Sequence, residues 1–517
     1  MTANSETISD ARGARTWRTS TAEAEGVDPA GIHGLIEEFD SDPTQDAHAI
    51  VVVRHGAVIA TAQWEPYGVH RPQLVYSLSK SFTSSAAGFA VAEGLLDLDA
   101  PAADYFPEYS DSVADASRGI LVRHLASMAT GHLVDMWSAF DADPEHPIRA
   151  FLASPPEREP GTVFTYNQLA TYTLGAIVQR RSGQRLSEYL GPRLLEPLGI
   201  PPLGWQQQPA DVELGFSGLF APPEAVAKLG QLYLDRGVWN GQRLLSEEWV
   251  REATSVQVEN AAPGGLTAAS SDWEQGYGFQ FWASRHGFRG DGAFGQYCLV
   301  LPEHDAVVAI TSQTIDMQDA LDRVWKHLLP AFGPAPLPSP APGQGGESLH
   351  GIVKEIGFPD DLESLATLGA DAAVEYRRAA DRESVEEFEA LATATLKTDA
   401  GSWRLTLTEG GRSGTGGPVG GTVAGLVGGV VGVDGWETTE GDASGSLGVP
   451  VALRGGVSAD GLVRVDVAFI DTPHRLTLTF DLATRTVTPR WRSRPLRFES
   501  MRTLRAVRPG ESFAVEE

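Results

Sequence analysis

The pattern of hydrophobic and polar residues differs between the first two thirds and the last third of the chain. Up to about residue 332, helix-like and strand-like segments are mixed, which is typical of a domain containing both element types. Beyond about Leu349, apolar and polar residues alternate in segments 403–408, 462–470, 475–482 and 485–491. A period of two predicts half-buried antiparallel strands, and these would close into a small barrel or sandwich.

A proline-rich segment at residues 333–347 separates the two parts, with five prolines set among small residues. Such a composition favours an extended connector. We therefore divide the chain into a disordered tail over residues 1–20, a first domain over 21–332, this linker, and a second domain over 348–517.

Two segments of the second domain do not follow the strand pattern. Residues 374–393 are rich in charged residues and alanine, which predicts a helix. Residues 410–435 contain twelve glycines interleaved with valine and alanine. This composition leaves two alternatives open, a flexible loop or a strand interrupted by bulges.

Charge and cysteine content exclude several classes of function. The 517 residues include 68 acidic and 40 basic residues, giving a net charge of −28, which opposes binding to nucleic acid or to anionic membrane surfaces. Cys298 is the single cysteine, and no Cys/His cluster has zinc spacing, so we expect no disulfide, metal or cofactor. The polar amino terminus lacks a secretory signal, and no apolar run could span a membrane, so we expect a cytoplasmic protein.

The candidate chemistry lies in the segment YSLSKSFTSSAAGFA, residues 76–90. The segment predicts a buried helix from about Ser77 to Gly94, in which Lys80 is the only charge before Glu93. Ser77 and Lys80 are three residues apart, so they share a helix face, and an amine beside a serine can accept its proton. The alternative is that Ser77 caps the helix and Lys80 reaches solvent.

The surrounding segments extend this pattern. The sequence resembles the superfamily of serine β-lactamases, penicillin-binding proteins and related esterases, nearest to its class C-like branch, over about residues 22–330. Besides YSLSKSFTS, the resemblance rests on segments 94–109, 121–132, 160–184, 218–250, 271–282 and 288–312. It implies an α/β sandwich of the β-lactamase/transpeptidase type, with an antiparallel sheet, helices on both faces and a helical subdomain. The second domain would then be an appended, barrel-like all-β domain.

The same resemblance assigns further site residues. The tyrosine of the family's Tyr-x-Asn element corresponds to Tyr166, which would accept or relay a proton beside Ser77. Asn167 and Gln168 follow it as substrate-binding candidates. Gln168 stands where many relatives have asparagine, so polar contact is retained on a longer arm.

A third family element, Lys-Thr-Gly or His-Thr-Gly on a strand, corresponds to Gly290, Asp291 and Gly292, which we expect to contact substrate. The resemblance places the oxyanion hole at the backbone N–H groups of Ser77 and Ala293. The basic residue is replaced by Gly290. Asp291 has a second interpretation, a solvated turn residue.

Arg289 or His286 could replace the missing cation, although neighbouring strand residues face opposite ways, which counts against Arg289. Without a basic residue at position 290, a substrate with an essential carboxylate is disfavoured relative to a neutral ester or amide.

The resemblance predicts a serine hydrolase that acts through an acyl-enzyme on a small-molecule ester, amide or short peptide. D-aminopeptidase and β-lactamase or D,D-peptidase activities are narrower alternatives. An alternative of another class is a catalytically weak binding or scaffold protein, and a homo-oligomer also stays open.

Overall fold

The computed structural model describes residues 17–261, 270–334, 336–337, 348–359, 362–365, 374–378, 391–399, 402–412, 418–440, 448–496 and 500–512 of the chain. Its α-helices are α1 Pro29–Asp40, α2 Ser79–Ala92, α3 Val122–Ala126, α4 Trp137–Ala142, α5 Pro147–Ala153, α6 Gln168–Ser182, α7 Leu186–Leu190, α8 Glu196–Leu198, α9 Pro223–Leu234, α10 Glu247–Thr254 and α11 Met317–Leu328.

The strands up to the second domain are β1 Gln45–Arg54, β2 Ala57–Glu65, β3 Gln73–Leu74, β4 Gly204–Trp205, β5 Leu219–Ala221, β6 Val238–Trp239, β7 Gln242–Arg243, β8 Trp282–Ala283, β9 Phe288–Gly292, β10 Gln296–Leu301, β11 Ala306–Thr314 and β12 Ile352–Glu355. The strands that follow are β13 Glu363–Ser364, β14 Val374–Arg378, β15 Leu391–Asp399, β16 Ser402–Arg412, β17 Pro418–Val431, β18 Glu437–Thr439, β19 Val451–Val457, β20 Val463–Phe469, β21 His474–Asp481 and β22 Thr486–Trp491.

A seven-stranded sheet forms the centre of the first domain, in the order β12-β2-β1-β11-β10-β9-β8. Neighbouring strands are antiparallel except for β12, which runs parallel to β2. Strands β1 and β11 are buried along their whole length, because helices cover both faces of the sheet. Residues of α1 and α11 pack on one face, and those of α2 and α9 pack on the other with the helical subdomain. This confirms the predicted sandwich.

Helix α2 is buried from Ser79 to Ala90, as its lack of charge predicts. Its hydroxyl groups are paired within the core, since a buried polar group without a partner is unfavourable. Thr83 Oγ1 donates to the Gly215 carbonyl at 2.8 Å, and Ser84 Oγ donates to the Phe279 carbonyl at 2.7 Å. These bonds fix α2 between the helical subdomain and the segment that leads into the sheet edge.

The second domain is all β, as predicted, but its sheet does not close into a barrel. Its ten strands follow the order β13-β19-β20-β21-β22-β14-β15-β16-β17, with β18 pairing to β19. Across the open side of this sheet, the only strand pairing that the described residues show is one isolated bridge, between Gly432, just after β17, and Arg454 of β19. A separate apolar core, which includes Leu405, Val465 and Leu478, fills the space that the curved sheet encloses.

Two predictions for this domain are revised. The predicted helix over 374–393 is wrong where the structure describes it, because residues 374–378 and 391–393 lie in β14 and β15; residues 379–390 lie outside the described part. Tyr376 is buried against Phe480, and this tertiary contact overrides local helix propensity. Of the glycine-rich segment, residues 418–431 form β17, whose pairing with β16 shifts register twice, as expected for a bulged strand.

At both predicted domain boundaries, residues assigned outside the first domain pair with its sheet. Residues 1–16 lie outside the described part, but 17–20 are ordered: the Arg18 carbonyl accepts from the Val58 N–H at 2.9 Å. At the other boundary, Ile352–Glu355 extends the first domain's sheet as β12. In the described part of the chain, no helix is long and apolar enough to cross a membrane.

Candidate active site

Ser77 lies in a single 3₁₀ turn, Tyr76–Leu78, that leads directly into α2. The residue before it, Tyr76, has a φ of 47°, a left-handed conformation that is unusual for a bulky side chain. The Tyr76 side chain is held from the second domain, where its hydroxyl bonds to His474 Nε2 at 2.6 Å. The turn that presents Ser77 is therefore fixed from both domains.

Lys80 follows one helical turn later, 1% exposed, with its amine 3.0 Å from Ser77 Oγ. The amine also donates to Gln168 Oε1 at 2.7 Å and to the Phe216 carbonyl at 2.8 Å. Burial lowers the pKa of Lys80 to about 7, although nearby carboxylates favour the charged form. A neutral amine has two N–H bonds, which these two oxygens use, so its lone pair is left to face the Ser77 hydroxyl.

Tyr166 lies beside Ser77 and Lys80, stacked on Trp282 with ring centroids 5.3 Å apart. The Lys80 amine lies 4.7 Å from the centre of its ring. Burial raises the pKa of Tyr166 above its usual range, and a hydrogen bond with the Ser77 side chain only partly offsets this. Tyr166 is therefore protonated at neutral pH, which suits it to pass on a proton rather than to act first as a base.

Gln168, the first residue of α6, connects Lys80 to an acidic residue that the sequence did not indicate. Asp135 Oδ1 accepts from the Gln168 backbone N–H at 3.0 Å, and Asp135 Oδ2 accepts from Gln168 Nε2 at 3.3 Å. Burial raises the pKa of Asp135, against these hydrogen bonds and the attraction of Lys80. No motif marks Asp135 in the sequence, because its role arises from a loop folding back onto α6.

Asn167 does not face the site, contrary to its predicted contact with substrate. The side chain is fully buried and caps α6, with Oδ1 accepting from the Leu169 N–H at 3.1 Å. Asparagine is among the preferred residues for this capping position, which explains its presence between Tyr166 and Gln168. Its contribution is to fix the start of the helix that carries Gln168.

Strand β9 passes close to the Ser77 turn because two of its residues lack side chains. A Cβ atom on Gly290 would overlap the end of Leu78 and lie 2.7 Å from Ser81 Oγ. A Cβ atom on Gly292 would overlap the Val75 carbonyl oxygen and lie 3.1 Å from the Leu78 nitrogen. The glycines thus allow the strand backbone to approach the turn, and Ala293 follows directly where the strand ends.

Asp291 is not a solvated turn residue but a buried residue of β9, bonded to Arg289 Nε at 2.9 Å. Residues paired across neighbouring strands point to the same face of the sheet, and Asp291 pairs with Tyr297. Tyr297 belongs to the apolar core that includes residues of α1 and α11, so the Asp291 side chain faces that layer. Arg289 is fully buried and also donates to the Asp272 carbonyl at 2.7 Å. The side chains of Asp291 and Arg289 thus pair with each other and lie on the opposite face of the strand from Gly290.

His286 does not replace the missing cation either, because its ring packs against Trp325 of α11, with centroids 5.1 Å apart. Among the residues described, no group of three or more His, Cys, Asp or Glu side chains is arranged to hold a metal ion. The groups around Ser77 are the Lys80 amine, the Tyr166 phenol and the Gln168 amide, which is bonded to the Asp135 carboxyl group.

A cavity of about 260 Å³ opens beside Ser77, between the two domains. The first domain contributes the polar residues Ser77, Asp135, Gln168, Gln206 and Ser217 and the apolar or aromatic residues Leu74, Tyr76, Trp137, Leu214 and Phe216. The second domain contributes Pro495, Leu496, Thr503 and Leu504.

The sequence is similar to those of several known proteins. The chain is 25% identical over 298 residues to the 6-aminohexanoate-dimer hydrolase of Paenarthrobacter ureafaciens, covering 52% of this chain and 73% of that protein. It is 27% identical over 180 residues to esterase EstB of Burkholderia gladioli, covering 30% of this chain and 46% of the esterase.

Among solved structures, the octameric penicillin-binding protein homologue from Pyrococcus abyssi aligns at 14% identity and a TM-score of 0.45, covering 88% of this chain and 96% of that one. The family model described as Beta-lactamase matches residues 34–331, which is more than half of the 517 residues. The chain belongs to the Beta-lactamase family, as the sequence resemblance predicts.

Proposed function

We propose that the protein is a serine hydrolase that forms a covalent acyl-enzyme on Ser77 with an ester or amide substrate. The observation that carries this proposal is the buried Lys80 amine, 3.0 Å from Ser77 Oγ, with a pKa lowered to about 7. A buried amine is unfavourable for stability, and its two other contacts leave its lone pair directed at the serine. This arrangement makes the serine a better nucleophile and has no evident structural purpose.

The first half of the reaction forms the acyl-enzyme. Lys80 takes the proton of Ser77 as Oγ bonds to the substrate carbonyl carbon, and the carbonyl π electrons move onto the oxygen. The backbone N–H groups of Ser77 and Ala293 stabilise this oxyanion. When the bond to the leaving alcohol or amine breaks, Tyr166 donates its proton to the departing atom and regains one from the Lys80 ammonium group.

The second half releases the product. A water molecule gives a proton to Tyr166, which passes one to Lys80, and the water oxygen bonds to the acyl carbon. The tetrahedral species then breaks its bond to Ser77 Oγ, and the proton held at Lys80 returns to the serine. The enzyme ends in its starting protonation state, and the net reaction is hydrolysis.

A neutral ester or amide suits the site better than a substrate bound through a carboxylate. No basic side chain occupies position 290, and Arg289 is engaged with Asp291. The names of the Paenarthrobacter and Burkholderia relatives indicate an amide-type dimer hydrolase and an esterase, which supports this substrate class. D-aminopeptidase and β-lactamase-type activities would be narrower forms of the same chemistry.

Hydrolysis of p-nitrophenyl butyrate by wild type, Ser77→Ala and Ser84→Ala tests the proposal. Ser84 is a matched control, since it is a fully buried serine of the same helix that bonds to a backbone carbonyl. We expect kcat/KM to fall at least about a thousandfold in Ser77→Ala, about 4 kcal/mol of barrier, and to change little in Ser84→Ala. Equal activity in Ser77→Ala and wild type would assign the nucleophile elsewhere.

A further inference from the structure

The cavity beside Ser77 is incomplete without the second domain. Pro495 and Leu496 follow the last long strand, β22, and Thr503 and Leu504 lie eight residues further on. All four line the same cavity as Ser77. One wall of the candidate substrate site is thus built from a part of the chain more than 400 residues beyond the nucleophile.

Buried contacts at the domain junction hold this wall in place. His474 Nδ1 donates to the Ser493 carbonyl at 3.0 Å, which leaves its Nε2 to accept from the Tyr76 hydroxyl at 2.6 Å. Gln313 Nε2 donates to Ser493 Oγ at 2.5 Å, and the Leu74 N–H donates to the Asp471 carbonyl at 2.9 Å. The segment that leads to Pro495 is therefore fixed to the strand and the turn that flank the nucleophile.

The chemistry of the wall is mainly apolar. Leu496 and Leu504 line the cavity together with aromatic and aliphatic residues such as Trp137, Leu214 and Phe216. The lining carboxyl group, Asp135, bonds to Gln168 and would repel an anionic substrate. Since a cavity of about 150 Å³ accommodates the six carbons of a benzene ring, one of about 260 Å³ has room for about ten atoms of that size, including those of the ester or amide group.

We propose that the second domain provides the specificity wall of this site, which binds an uncharged, apolar substituent of the ester or amide. The inference rests on the proposed function, because it deepens the substrate class of the same site. The substituent belongs either to the acyl group or to the leaving alcohol or amine, and both sources share the same apolar chemistry. Each buried methylene adds about fourfold to binding, so a chain that reaches the wall gains at least about tenfold.

Two substrate series distinguish these sources. The acyl series compares p-nitrophenyl hexanoate with p-nitrophenyl acetate, and the alcohol series compares hexyl acetate with methyl acetate. Each is measured with wild type, Leu496→Ser and the control Val353→Ser. Leu496 and Val353 are 67% and 52% exposed, so neither substitution disturbs a core, and Val353 lies on the edge strand β12, away from the cavity.

We expect wild type to prefer the longer substrate in one series by at least about tenfold in kcat/KM. Leu496→Ser should reduce that preference several-fold. Thr503→Trp fills the cavity and should abolish the preference, whereas the control Val353→Ser should leave it within twofold of wild type. A preference that neither Leu496→Ser nor Thr503→Trp changes would overturn the inference while the hydrolase function stands.

A binding measurement separates the inference from the proposed function. In Ser77→Ala, which cannot form the acyl-enzyme, hexanamide should bind at least about tenfold more tightly than acetamide, and Leu496→Ser in that background should reduce the difference. If hexanamide binds more tightly in this way but wild type hydrolyses no ester or amide, the specificity wall is supported and the hydrolase proposal is refuted. Equal binding of the two amides would refute the wall.

Discussion

The buried amine of Lys80 sets the pH dependence that the account predicts. Burial lowers the pKa of Lys80 from the usual 10.5 to about 7, and this difference corresponds to about 5 kcal/mol of disfavoured charging. The neutral amine is the form that takes the Ser77 proton, so activity requires deprotonation. We therefore expect kcat/KM to rise with pH through a midpoint near 7 and then to level off, since burial raises the pKa of Tyr166 and keeps it protonated.

Substitution of Asp135 tests whether this midpoint belongs to Lys80. The Asp135 carboxylate favours the charged amine, so its removal in Asp135→Asn should lower the pKa of Lys80 further. We expect the ascending limb of the kcat/KM profile to move to lower pH by about one unit. The control Asp104→Asn removes an exposed carboxylate and should leave the midpoint in place.

The assay is hydrolysis of a neutral p-nitrophenyl ester between pH 5 and 9, with the released nitrophenol followed at a wavelength where absorbance is independent of pH. A neutral substrate keeps its own titration out of the profile. A midpoint that stays in place in Asp135→Asn, or that moves to higher pH, would refute the assignment of Lys80 as the base.

Three further variants test stability and geometry. Between pH 7 and about 10, Lys80 is protonated in the unfolded state but neutral in the folded state. The free energy of unfolding, measured by chemical denaturation, should therefore rise with pH over this range in wild type relative to Lys80→Met. Tyr76→Phe leaves the buried His474 Nε2 without its donor, so it should lower the free energy of unfolding by about 1–3 kcal/mol and reduce kcat. Wild-type values of stability and kcat would contradict a role for this bond in joining the two domains. Gly292→Ala places a Cβ against a backbone oxygen and should lower kcat/KM at least about tenfold, whereas Gly191→Ala, which has open space around it, should not.

The features that depend on neighbouring residues could be predicted from the sequence. The spacing of Ser77 and Lys80 places them on one helical turn whatever the rest of the fold does, and the charge-free segment around them predicts a buried helix. The first domain's sandwich followed from a family resemblance that spans most of it. The strand pattern of the second domain also identified its all-β class, because period-two alternation reflects a sheet with one buried face.

The features that depend on distant contacts could not be predicted in this way. Asp135 reaches Gln168, and the Phe216 carbonyl reaches Lys80, through loops whose paths no local pattern reveals. The residues at 374–378 have helical composition but join a sheet through long-range pairing. The cavity wall at Leu496 depends on how two domains pack, and apolar patterning within either domain does not contain that information.

The most direct test of the central claim is to locate the covalent adduct. The protein is incubated with a p-nitrophenyl phosphonate that carries a hexyl group, and the labelled peptide is identified by mass spectrometry in wild type and in Ser77→Ala. The account predicts one adduct per chain, on Ser77, forming faster as the pH rises through 7 and absent from the Ser77→Ala protein. An adduct on another residue, or equal labelling of Ser77→Ala, would contradict it.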